Sequence, residues 1–131
     1  MSDKEIVFVT KKQALTLHAD SIEMFGGSHG LRDEGAFESA LCAAENRHNY
    51  ENADLAVCAA TYAFHLTQAH AFIDGNKRVG AGTAISFLRR NGASFSAAQE
   101  QLIELFLKIA ASEITREDVE AFFAQHTKIK E

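Results

Sequence analysis

The 131-residue sequence has no proline, only two cysteines, no excess of basic residues and no long apolar run. Each absence excludes something. Without proline no helix is kinked or stopped by a pyrrolidine ring, and turns must rest on Gly, Asn, Asp and Ser. Cys42 and Cys58 both fall in apolar, helix-like segments, which predicts two buried thiols rather than a disulfide framework or a metal site. A formal net charge of −5 argues against a general DNA or RNA binder, whose affinity comes from neutralising phosphates. A local basic cluster can still hold one nucleotide. No apolar stretch reaches the roughly 18 residues needed to span a bilayer. The N-terminus shows no apolar run ahead of a small-residue cleavage site, so no signal peptide is expected. The chain reads as cytosolic.

What remains is ordinary globular composition, with 47% apolar and 24% charged residues, too apolar for a disordered chain. The length suits a single domain over residues 1–131, with one core. Ile6–Val9 fits either a short strand or an extended arm. Thr10 and Gln13 form a capping box. They open a helix with Ala14, Leu15, Leu17, Ile22 and Phe25 on its apolar side, ending at Gly26-Gly27. A loop at Ser28–Asp33 precedes a helix over about Glu34–Arg47, with Phe37, Leu41 and Ala44 in one stripe. His48–Ala53 is polar and turn-like. Asp54 starts an apolar helix to about Ala69, with Leu55, Cys58, Tyr62 and Leu66 on one face and Val57 and Phe64 off it. That breadth of apolar surface predicts a central position. A further helix runs over about Asn76–Asn91, with Gly92 as its C′ residue. Ser96 and Gln99 suggest a capping box for a helix to about Ala111. Thr115 and Asp118 suggest a cap for a last helix through Ala124. The expected fold class is all-α, a compact bundle of about six helices with at most a small β element.

The stretch that carries chemistry is His70-Ala71-Phe72-Ile73-Asp74-Gly75-Asn76-Lys77-Arg78, a loop between two apolar helices. His70 can take a proton from an attacking hydroxyl near neutral pH. Asp74 offers a hard oxygen ligand for Mg²⁺. Backbone N–H groups of Gly75 and Asn76 at a helix start can cradle phosphate oxygens, and Gly75 lets a ligand approach the main chain. Lys77 and Arg78 can neutralise phosphate charge. Phe72 reads as core. Plain alternatives exist for each: Asp74 or Asn76 as an N-cap, Lys77 and Arg78 as a solvated face. Lys77 and Arg78 nevertheless sit at a positive helix end, which disfavours cations by roughly 0.3–1 kcal/mol each. Arg89 and Arg90, in the last turn of the same helix, sit where cations are welcome.

His-x-Phe-x-Asp-Gly-Asn-Lys-Arg resembles the signature of the Fic/Doc superfamily; seven fixed positions at this spacing would arise in roughly one random chain per ten million. The helix ending Phe87-Leu88-Arg89-Arg90-Asn91-Gly92 is also similar to that family, as is the upstream Gly30-Leu31-Arg32-Asp33-x-Gly35-x-Phe37-Glu38-Ser39-Ala40-Leu41. Adenylyl-transferring members read His-Pro-Phe-x-Asp/Glu-Gly-Asn-Gly-Arg-x-x-Arg. Here Ala71 replaces the proline, Lys77 the second glycine and Ala81 the final arginine, which resembles the death-on-curing branch. The resemblance implies a toxin of a toxin–antitoxin pair that binds ATP with Mg²⁺ and transfers the γ-phosphate to a threonine of elongation factor Tu, arresting translation. By the same resemblance His70 is the general base, Asp74 the metal ligand, and Gly75, Asn76, Lys77 and Arg78 hold phosphates. The alternatives are an adenylyltransferase and a catalytically idle antitoxin-binding module. The family's self-inhibitory helix is not matched: in Leu41-Cys42-Ala43-Ala44-Glu45-Asn46, Leu41 stands where a hydroxyl belongs. This implies a Phd-like antitoxin acting in trans. Arg47–Asp54 fits either a target-gripping flap or a plain connector. His65 and His70 are five residues apart, on different helix faces, which argues against a metal pair; His18, His29, His48 and His126 have no ligand-like spacing and read as solvent-facing or ordinarily hydrogen-bonded.

Overall fold

In the computed structural model, which describes residues 5–130, six helices surround one apolar core. They are α1 (Lys11–Phe25), α2 (Glu34–Glu51), α3 (Leu55–Ala69), α4 (Asn76–Arg90), α5 (Gln99–Ala110) and α6 (Arg116–His126). Strands β1 (Ala93–Phe95) and β2 (Thr127–Ile129) form a two-stranded antiparallel sheet with Ser94 opposite Lys128. The fold is therefore all-α with a small β element.

The breadth of apolar surface on α3 has the consequence expected of it. α3 packs against α2, α4, α5 and α6, and Cys58, Tyr62 and Leu66 are fully buried. Burial pushes the Cys58 thiol up to about 12, with Asp54 adding to the shift, so it is inert at neutral pH. Cys42 departs from expectation: it is exposed, on the outer face of α2.

Local signals set most of the helix starts. Thr10 Oγ1 accepts from Gln13 N at 3.1 Å, while Thr10 N donates to Gln13 Oε1 at 2.9 Å, a complete capping box. Asp33, Asp54 and Thr115 accept from Ala36 N, Val57 N and Asp118 N. The box expected at Ser96 and Gln99 is not used. Ser96 N donates to His126 O, continuing the sheet, and α5 starts later, with Ala98 N donating to Gln101 Oε1. The polar run His48–Glu51 is not a turn but the last turn of α2. Arg47 holds Glu51 four residues on, and Asn52 closes the helix in the left-handed region at φ 55°. The segment Arg47–Asp54 is thus mostly helix, with a short connector. Ile6–Val9 is an arm, not a strand. Asn91 Oδ1 accepts from Val7 N at 2.7 Å, Asn91 Nδ2 donates to Val7 O, and Val9 N donates to the buried Tyr62 hydroxyl.

Candidate functional site

The segment from His70 to Arg78 connects α3 to α4 and is held from two sides. On one side lies the loop before α2. Arg32 N and Asp33 N both donate to Ala71 O, Ile73 N donates to Gly30 O, and the Arg32 guanidinium donates to His70 O at 2.6 Å. Leu31 and Phe72 face each other as an antiparallel bridge. Gly30, at φ 136°, leaves room for Ile73 Cδ1, which would stand 2.6 Å from a Cβ. Two of the three sequence segments that carry the family resemblance are therefore physical neighbours.

On the other side lies α1. Its buried stripe is Ala14, His18 and Ile22, at i, i+4, i+8. Phe25, expected on that stripe, is 69% exposed, and His18 takes the buried role. His18 stacks on Phe72 at 3.8 Å between ring centroids, and its Nε2 lies 2.7 Å from Asp74 O. Phe72 is buried, as its position suggested. The sequence signal for His18 was its place on the i+4 row between two apolar residues, which metal-ligand spacing alone does not detect.

Within the loop each residue has a defined setting. His70 closes α3 in the left-handed conformation, φ 48° and ψ 40°, with its side chain exposed. That conformation is sparsely used outside glycine and asparagine and persists where surroundings impose it; here the Arg32 bond to its carbonyl does so. Asp74 Oδ1 accepts from Gly75 N at 2.9 Å, and its Oδ2 accepts from Ser28 N at 3.3 Å. Neither Asp74 nor Asn76 caps α4. The N-cap is Gly75, at φ 80°, with no side-chain bond to the first turn. The α4 amides are therefore uncovered by a capping side chain, as an anion site needs. The Asn76 amide braces the loop instead, accepting from Phe72 N and donating to Phe72 O, each at 3.0 Å.

Arg78 reaches back to α1. Its Nη1 donates to Ser21 O at 3.0 Å and Gly26 O at 2.9 Å, while Nη2 stands 4.0 Å from Asp74 Oδ1. Lys77 is exposed and lines, with Ala81, Leu102, Ile103, Phe106 and Leu107, a shallow apolar groove between α4 and α5 of about 230 Å³. The loop thus brings Asp74, Gly75 and Arg78 together at the N-terminal end of α4, with His70 where the loop leaves α3, and Lys77 opens toward α5.

An Mg²⁺ ion fits this donor set only in company. Among the described residues no group of three His, Cys, Asp or Glu side chains could hold a metal ion. Asp74 supplies one carboxylate, about half exposed. That matches Mg²⁺ bound through one carboxylate, waters and substrate phosphates rather than in an all-protein cage. No helix among the described residues is long and apolar enough to cross a membrane.

Comparison with known proteins agrees with the motif and the fold. The Fic/DOC family model matches residues 8–88. The chain is 33% identical over 108 residues to "Protein kinase doc" of Escherichia phage P1, an alignment covering 82% of this chain and 85% of that protein. The chain belongs to the Fic/DOC family, in its death-on-curing branch.

Proposed function

We propose that the protein is the toxin of a toxin–antitoxin pair, a cytosolic kinase-like phosphotransferase. Its donor is ATP with Mg²⁺, and its acceptor is a threonine hydroxyl of a translation factor, elongation factor Tu by resemblance. The observation that carries the reading is the uncapped N-terminus of α4, with Gly75 in the left-handed region, beside one half-exposed carboxylate and an exposed histidine. The relative's name as a protein kinase supports the same class of chemistry, as do Lys77 and Ala81 at positions where adenylylating members carry Gly and Arg.

In this reading His70 accepts the proton of the threonine hydroxyl. The bond from threonine Oγ to the γ-phosphorus forms as the bond from that phosphorus to the β–γ bridging oxygen breaks, and ADP leaves with the bridging electrons. The Gly75 and Asn76 N–H groups, the Lys77 ammonium and the free Nη2 of Arg78 hold phosphate oxygens. Asp74 would hold Mg²⁺, which would supply neutralisation of the phosphate charge when bound. Positioning and charge are most of what phosphoryl transfer asks of a protein. The missing hydroxyl at Leu41 leaves inhibition to a Phd-like antitoxin.

The test is incubation with purified elongation factor Tu and ATP labelled at the α or the γ position. Label passing from γ alone is expected. Label from α alone would establish an adenylyltransferase instead. Expression of wild type and His70→Ala separates a third possibility: equal growth arrest by both would show a binding module whose toxicity does not depend on transfer.

A further inference from the structure

We propose that His18, on α1 and outside the motif, is a positioning residue that locks the Asp74–Gly75 peptide in the one orientation presenting the Gly75 N–H to a phosphate. This rests on the reading of that loop as a phosphate site and adds a residue no motif contains.

Three observations converge on His18. It is buried, 4% exposed, yet polar. Its Nε2 lies 2.7 Å from Asp74 O. Its ring lies flat on Phe72, and a Cβ on Gly75 would stand 3.3 Å from its Cδ2 and Nε2. A carbonyl only accepts, so Nε2 carries the proton and donates. The ring is wedged between Phe72 and Gly75 and has one direction in which to donate.

The consequence follows from peptide geometry. The Asp74–Gly75 bond is trans, so its carbonyl and its N–H point in opposite directions. Pulling Asp74 O inward onto α1 turns Gly75 N outward. There the Asp74 carboxylate meets it at 2.9 Å, the contact an arriving phosphate oxygen would take over. Glycine accepts φ of either sign, so residue 75 would tolerate the flipped peptide, which aims a carbonyl at the phosphate. The glycine that permits close approach also permits the wrong orientation, and the His18 bond selects between them.

The test separates the donor from the ring. His18→Phe keeps a flat ring on Phe72 and removes the donor. His18→Gln removes the ring and keeps an N–H at similar reach. For γ-phosphate transfer, His18→Phe is expected to lose about 10²-fold in kcat, the scale of a misplaced reacting group, with KM for the acceptor unchanged. His18→Gln is expected to keep most of the rate. A second readout needs no ATP. In protein carrying isotope-labelled glycine, the Gly75 amide resonance should shift or double in His18→Phe and stay single in His18→Gln. Should His18→Phe not fold, His18→Leu, equally without a donor, carries the same expectation. Wild-type rate and an unmoved Gly75 resonance in the donor-less variant would overturn the proposal. So would equal losses in His18→Phe and His18→Gln, which would make the ring's packing the whole effect. If the wild type transfers no label at all, the phosphotransferase reading fails, while the Gly75 resonance still decides whether His18 sets the peptide.

Discussion

Each end of α4 carries a basic pair. At the C-terminal end Arg89 and Arg90 are exposed, and Arg90 reaches no farther than Ser86, one turn back. At the N-terminal end Arg78 spans to α1 and donates to Ser21 O and Gly26 O, while Lys77 stands exposed. The first pair complements its own helix dipole. Arg78 sits at the wrong end of its own helix but at the right end of its neighbour: α1 has no basic residue in its last turn, and Arg78 supplies that charge from outside. A rule broken within one helix is satisfied between two. The part of the anomaly that stays unanswered by structure is narrower: Lys77, which no carboxylate pairs among the described residues, and the uncapped amides beside it.

The contrast can be broken by substitution. His70→Ala should cost about 10²–10⁴-fold in transfer, the usual contribution of a general base, with the thermal midpoint nearly unchanged because the side chain is exposed. Asp74→Ala should likewise abolish detectable transfer without unfolding, since Asp74 caps no helix and leaves no core cavity; a collapse of its melting temperature would make Asp74 structural. Arg78→Ala should lose stability as well as activity, about 1.5–3 kcal/mol for hydrogen bonds made by a charged group, by denaturant titration. Arg89→Ala and Arg90→Ala should each lose less than about 0.5–1 kcal/mol and no activity. Equal losses at the two ends would dissolve the distinction.

Three milder variants sharpen it. Lys77→Gly should lose γ-transfer while costing about 1 kcal/mol of helix stability, without gaining adenylyl transfer, because Ala81 still lacks the arginine of adenylylating relatives. Lys77→Gly with Ala81→Arg, four residues apart on one face, is the pair expected to raise the ratio of α- to γ-label incorporated, non-additively. Full γ-transfer by Lys77→Gly would show that Lys77 does not hold a phosphate. Gly27→Ala should lower activity more than stability. A Cβ there would stand 2.7 Å from Asp74 Oδ2, at a φ of 118°, and would push the carboxylate out of place.

The helix set, the central place of α3, the caps at Thr10 and Thr115 and the loop holding His70–Arg78 were legible because each is written in local spacing. What was not legible is set by partners far along the chain. Ala93–Phe95 and Thr127–Ile129 are too short to announce a sheet, and their pairing diverts Ser96 from the cap its sequence suggests. His48–Glu51 reads as a turn until Arg47 is seen gripping Glu51 and, on α6, Glu120. Cys42 faces outward because the α2 stripe through Phe37, Leu41 and Ala44 leaves it on the other side. Of the candidate site, residue identities were legible but allegiances were not. That Asn76 braces Phe72, that Arg78 closes α1 and that His18 lies beneath Gly75 are tertiary facts.

The central claim is that the N-terminal end of α4 binds phosphate and its C-terminal end does not. The most direct measurement follows the backbone amide resonances of α4 while ATP and Mg²⁺ are added. The account predicts that Gly75, Asn76 and Lys77 move together and saturate, while Arg89 to Gly92 stay in place. Movement at Arg89 and Arg90 with Gly75 unmoved would contradict it.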